Sequence, residues 1–140
     1  QEFEGKFWGQ YRAVKYAAPR LDKTGAIVLM SGAYSARPVP GATSLAAVQA
    51  GIEGLARGLA IDLAPIRVNV ISPGLTDTPI IHEFFADEAA RKALYDEQAR
   101  VLPARRIGTS DDIAESILYL LTNRYTTGST LFPDGGYNLR

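Results

Sequence analysis

The chain has 140 residues, 15 basic and 15 acidic side chains, zero formal net charge and 46% apolar residues. That is enough chain for one domain with a real core, and the balanced charge gives no reason to expect nucleic acid or an anionic membrane surface as a partner. There is no cysteine and only one histidine, which excludes disulfides and thiolate metal sites and leaves no metal centre to expect. No apolar run reaches the roughly 18–20 residues that span a bilayer. No signal-peptide pattern is visible, so a cytoplasmic location is expected. The chain opens on Gln1, and its single methionine, Met30, lies inside an apolar run. The expectation is therefore a processed or truncated piece of something longer.

The first predicted element is a helix over residues 3–21, with Phe7, Tyr11, Val14 and Ala18 on one stripe. Asp22-Lys23-Thr24-Gly25 is a turn. Residues 26–30, AIVLM, are a continuous apolar run of the kind a buried parallel strand needs. Ser31 to Gly41 is a loop. A second helix runs to Leu63 from Thr43 or Ser44, either of which suits an N-cap, and Pro65 stops it. Residues 67–72, RVNVIS, are a second strand, and Pro73-Gly74 turns the chain out of the sheet.

Residues 78–101 read as helix in two pieces. Ser110 caps a further helix with acids in its first turn; its predicted buried stripe is Ile113, Ile117, Leu118 and Leu121. Residues 129–132 form a third short strand, and Asp134-Gly135-Gly136 ends the fold. This alternation predicts an α/β fold, a doubly wound parallel sheet, with residues 1–140 as one partial domain. A long apolar edge on the strand at 26–30 implies further strands N-terminal to residue 1.

Four stretches carry a family resemblance. They are GATSLAAVQAGIEGLARGLAIDL (41–63), RVNVISPGLTDTP (67–79), RIGTSDDIA (106–114) and the run from Thr127-Gly128 to Asp134-Gly135-Gly136. As an ordered set they resemble the C-terminal half of a short-chain dehydrogenase/reductase (SDR). The resemblance implies a Rossmann-like sheet and NAD or NADP as cofactor. The Gly-rich cofactor loop that opens such subunits is not found here; Gly5 and Gly9 lie in a helical pattern.

In that family a hydride passes between a nicotinamide and a carbonyl, and a positioned acid supplies the proton, typically contributing about 10²–10⁴ in rate. The acid is the Tyr of a Tyr-x-x-x-Lys pair, its pKa lowered by the Lys ammonium. The four-residue spacing sets the two on one helix face. A Ser polarises the carbonyl, and an Asn on the preceding helix supports a proton-relay water. Registered on Glu53-Gly54-Leu55-Ala56-Arg57, the Tyr position falls on Leu45, the Lys position on Gln49, the Ser position on Gly32 and the Asn position on Lys6. No lysine lies between Lys23 and Lys92, and the only tyrosine between Tyr16 and Tyr95 is Tyr34. No change of register restores the pair.

Ser31 is the nearest hydroxyl to the lost Ser, although neighbours on an extended strand point to opposite faces. Ser31, Tyr34 and Lys6 are the candidate substitutes for the missing groups, and His82 falls where the family has its substrate lid. The plainer readings are core packing for Leu45, a surface or interface polar residue for Gln49, a backbone-bonding strand-end hydroxyl for Ser31 and exposed residues for Lys6 and His82.

By resemblance, Pro73, Gly74, Leu75, Thr76 and Thr78 form the nicotinamide wall, and Gln49 contacts a ribose hydroxyl. The Ala46, Ala47, Ala50, Gly51, Gly54 and Gly58 face permits close backbone approach. The resemblance implies a homodimer or homotetramer through helices 3–21 and 43–63. Two functions follow: an NAD(P)-dependent oxidoreductase of a small-molecule substrate that lacks the standard pair, or a non-catalytic binding or assembly subunit.

Overall fold

The computed structural model describes residues 2–140. Three parallel strands, β1 (Ala26–Met30), β2 (Arg67–Ile71) and β3 (Thr130–Leu131), lie in the order β1-β2-β3. Ala26 pairs with Arg67 and Met30 with Ile71; Val70 and Ile71 pair with Thr130 and Leu131. A π-helical segment, Phe3–Trp8, continues into α1 (Gly9–Ala17). Between β1 and β2 runs α2 (Thr43–Asp62). Then come α3 (Pro79–Phe84), α4 (Glu88–Val101) and α5 (Ser110–Thr122).

The strand period of two sorts the core into two layers. Ile27, Leu29, Val68 and Val70 face α1 and α2, packing on Val14, Val48, Ile52, Ala56 and Leu59. Val28, Ile71 and Leu131 face the other way, onto Ile113, Ile117 and Leu120 of α5. The result is a helix–sheet–helix sandwich, the expected doubly wound arrangement. Arg67 locks the two layers together. Its guanidinium donates to the carbonyls of Leu120, Leu121 and Asn123 at 2.7–2.9 Å. It thereby satisfies acceptors that the end of α5 leaves unpaired.

The local details differ from the sequence expectations in three places. The α5 cap is Thr109, not Ser110. Thr109 and Asp112 form a reciprocal capping box, and Arg106 grips both Asp112 carboxylate oxygens at 2.6 and 2.7 Å. The buried α5 stripe is Ile113, Ile117 and Leu120, with Leu118 59% and Leu121 41% exposed, because a 4,3 spacing keeps 113, 117 and 120 on one face. Neither Thr43 nor Ser44 caps α2; its N-cap position is Ala42, without a side-chain bond. Along residues 3–21, Phe7, Val14 and Ala18 pack inward as expected, while Tyr11 stays at the rim.

Candidate active site

At the C-terminal ends of β1 and β2 the chain leaves the sheet in two loops. Between them opens a cavity of about 840 Å³, a size typical of ligand sites. Its position follows from the topology, since parallel sheets with helices on both faces bind ligands beyond their strand ends. The β2 side is the segment Pro73–Thr78, with α3 and α4 beyond it. The β1 side is Ser31–Tyr34, with Gln49 of α2 behind it.

The β2 loop is held from three directions. Gly74 N–H donates to Pro133 O at 3.3 Å, and the loop's backbone is pressed so closely on Asp134 that a Cβ on Gly74 would lie 2.8 Å from the Asp134 Cα. Leu75 O accepts from Gly108 N–H at 3.0 Å, and Asp77 N–H donates to Gly108 O at 2.9 Å. Thr76 Oγ1 donates to Gly74 O at 3.1 Å and Thr78 Oγ1 to Thr76 O at 3.4 Å. Pro73 O in turn accepts from Ala33 N–H at 3.0 Å, tying this wall to the β1 loop. Pro73, Gly74, Leu75, Thr76 and Thr78 therefore line one surface together.

The β1 side is built differently. Gln49 is 5% exposed, not a surface residue, and its amide lies directly over Gly32. A Cβ on Gly32 would sit 2.4 Å from the Gln49 Nε2. The glycine and the glutamine are thus a matched pair: the space that a Ser side chain would take at position 32 is filled by Gln49. The Gln49 Oε1 is buried with no hydrogen-bond partner, a costly state that a ligand hydroxyl would relieve. Ser31 is buried and lines the cavity, but its hydroxyl reaches Gln49 O at 3.0 Å and Glu53 Oε1 at 3.3 Å, so its proton is directed at α2. Leu45 and Lys6 do not line the cavity. Lys6 lies in the π-helical segment, and burial lowers its pKa against an opposing pull from Glu2.

Tyr34 lines the cavity with its ring centroid 6.4 Å from that of Tyr137. Burial, followed by the neighbouring Tyr137, raises its pKa, which makes it a weaker acid than an exposed phenol. His82 lies outside the cavity lining, with Nε2 2.6 Å from Asp77 Oδ1. Tyr95 donates to the same oxygen at 3.0 Å. Hydrogen bonds from His82 and then Tyr95 hold the Asp77 carboxyl below its usual range. This cluster pins α3 and α4 to the segment after the Pro-Gly turn.

Asp77, Tyr95, Tyr137, Gln98 and Arg140 were not singled out by the sequence. Their side-chain hydrogen-bond partners lie 5 to 100 positions away in the chain, where no periodicity reports them. Among the described residues no group of three or more His, Asp or Glu side chains converges on a metal position. No helix among them is long and apolar enough to cross a membrane.

The family described as Enoyl-(Acyl carrier protein) reductase matches residues 3–138. The 3beta-hydroxysteroid dehydrogenase 1 of Eggerthella lenta is 37% identical over 139 residues, covering 96% of this chain and 51% of that protein. A crystal structure of a small-chain dehydrogenase in complex with NADPH superimposes with a TM-score of 0.91 at 40% identity, over 99% of this chain and 62% of the other. An NADPH-bound short chain oxidoreductase from Pseudomonas aeruginosa PAO1, containing an atypical catalytic center, gives a TM-score of 0.81 at 31% identity, over 94% and 54%. The chain spans about half the length of the curated relatives it matches.

Proposed function

From a chain that belongs to the short-chain dehydrogenase/reductase family, we propose that the full-length protein is an NAD(P)-dependent oxidoreductase working without the Tyr-x-x-x-Lys pair. The observation that carries this reading is the buried, unpartnered Gln49 Oε1, set in the same cavity as the Pro73–Thr78 wall. In this reading Gln49 accepts a hydrogen bond from a ribose hydroxyl, and the backbone of 73–76 with the Thr78 hydroxyl holds the carboxamide. A nicotinamide bound there supplies or accepts a hydride.

What the chain does not offer is a strong proton donor. Leu45 has no proton to give, and an amide at position 49 cannot lower a phenol pKa by charge. Ser31 has its proton turned to α2, and Tyr34 is made less acidic by burial. Turnover should therefore lack about the 10²–10⁴ that a positioned acid contributes. The Pseudomonas relative, with its atypical catalytic center and bound NADPH, supports cofactor binding without the usual groups. Exposed aromatics on the first helical segment, Trp8 and Tyr16 among them, together with the open face at Gly54 and Gly58, support pairing of subunits through α1 and α2.

The second reading is a non-catalytic binding or assembly subunit, favoured by the change at all four family positions. Titration of the full-length protein with NADH and NADPH, followed by fluorescence, separates the two. Saturable binding of either supports the oxidoreductase; no saturation by millimolar cofactor favours the assembly subunit. Restoring Leu45→Tyr, Gln49→Lys and Gly32→Ser together should then raise carbonyl reduction by about 10²–10⁴. Gly32→Ser must travel with the Gln49 change, because the two side chains claim one space.

A further inference from the structure

Among the described residues that line the cavity, Arg140 alone has a charged side chain. Ile81, Phe85, Leu94 and Leu102 give the same space its apolar character. The guanidinium is held in place by neutral partners only. Arg140 Nη2 donates to Gln98 Oε1 at 2.8 Å, and its Cζ lies 4.6 Å from the centroid of the Tyr137 ring. The Arg37 Cζ is 5.6 Å from the same centroid, and Arg37 Nη1 donates to Tyr137 O at 3.1 Å. Two positive charges thus flank one ring, and neither Arg37 nor Arg140 is in an ion pair among the described residues.

A cation set against apolar walls has a direct consequence for the ligand. Arg140 is exposed to solvent, so a wholly neutral, apolar molecule that covered its guanidinium would strip that water without giving it a partner, which costs desolvation. A carboxylate would instead meet a preorganised planar fork suited to two parallel N–H···O bonds. We propose that Arg140 is an anion subsite of this cavity, which takes an apolar compound carrying a carboxylate. Resting on the oxidoreductase reading, this names the substrate class as an apolar carbonyl compound with a carboxylate elsewhere in the molecule.

The test uses the full-length protein and two probes of the same shape, 4-phenylbutanoate and 4-phenylbutanol, titrated calorimetrically with and without NADPH. The wild type should bind the carboxylate about tenfold or more tightly than the alcohol, the ratio expected when a charge-assisted bond replaces a neutral contact. Arg140→Gln should bring the two affinities within about twofold, and Arg140→Lys should keep part of the preference, while NADPH affinity stays unchanged in both. Equal binding of the two probes by the wild type, no binding of either, or parallel weakening of both by Arg140→Gln overturns the subsite. So does a loss of NADPH affinity in Arg140→Gln with the carboxylate preference intact, which would assign Arg140 to the cofactor. Failure of NADPH to bind while the carboxylate preference persists overturns the cofactor reading and leaves the anion subsite standing.

Discussion

The two loops that leave the sheet face each other across one cavity, yet they are secured in opposite ways. The β2 loop is anchored backbone to backbone. Pro133, Gly108 and Ala33 each bond it, and its glycine is boxed by the main chain of Asp134. The β1 side depends on individual side chains: the Gln49 amide over Gly32, and the Ser31 hydroxyl shared between Gln49 O and Glu53. A surface fixed by main-chain bonds tolerates changes of side chain. A surface made of side chains is remade one substitution at a time. That is why the Pro73–Thr78 wall can keep its shape while the residues facing it change.

Alanine at the two loop glycines tests this contrast most strongly. Gly74→Ala drives a Cβ into backbone and should destabilise by about 1–3 kcal/mol, read from the midpoint of urea unfolding. Gly32→Ala displaces only the end of a flexible glutamine and should cost less than about 1 kcal/mol. Equal costs would break the comparison. Thr109→Ala removes the cap of the helix beside Gly108 and should cost about 1 kcal/mol. Gln49→Ala should weaken NADPH binding by about fivefold, the worth of one hydrogen bond, while leaving the fold as stable as before. Unchanged NADPH affinity would remove Gln49 from the cofactor site.

Two smaller effects sharpen the same point. Hydrogen bonds from Arg106 and Thr109 hold the Asp112 carboxyl well below the usual carboxylate range. Its contribution to stability is therefore present above the unfolded value near pH 4 and lost as pH falls below it. The stability gap between the wild type and Asp112→Asn, followed from pH 7 to pH 2, should narrow only below about pH 4; a gap constant with pH would remove Asp112 from the frame. Last, Tyr34→Phe should change carbonyl reduction by less than about twofold, because burial has made that phenol a poor acid. A larger loss would make Tyr34 a proton donor after all.

The alternation of elements and the three strands could be read from the sequence, because they rest on local periodicity. Caps are harder to read where hydroxyls stand side by side: Thr109, not the neighbouring Ser110, caps α5. The plainer reading of Gln49, a surface or interface polar residue, misses its burial because polarity does not report the direction a helix face turns. Its burial depends on α2 lying over the end of β1, and its contact with Gly32 depends on the side chain that glycine lacks. The grip of Asp77 on His82 and Tyr95, and of Arg140 on Gln98, joins separate elements through no shared pattern.

Gln10 has a consequence of its own. Its amide donates to Met30 O at 2.9 Å, and its Oε1 accepts from Met30 N–H at 2.7 Å. Gly25 O and Ser31 N–H both bond β2, so the alternation turns Ala26, Val28 and Met30 toward the opposite edge. With Met30 satisfied by Gln10, Ala26 and Val28 are the described β1 residues left to pair at that edge. Gln10 thereby closes the Met30 end of that edge, so a further strand pairing there would register on Ala26 and Val28. Gln10→Ala should therefore leave the fold in place, with the Met30 amide newly open to hydrogen exchange.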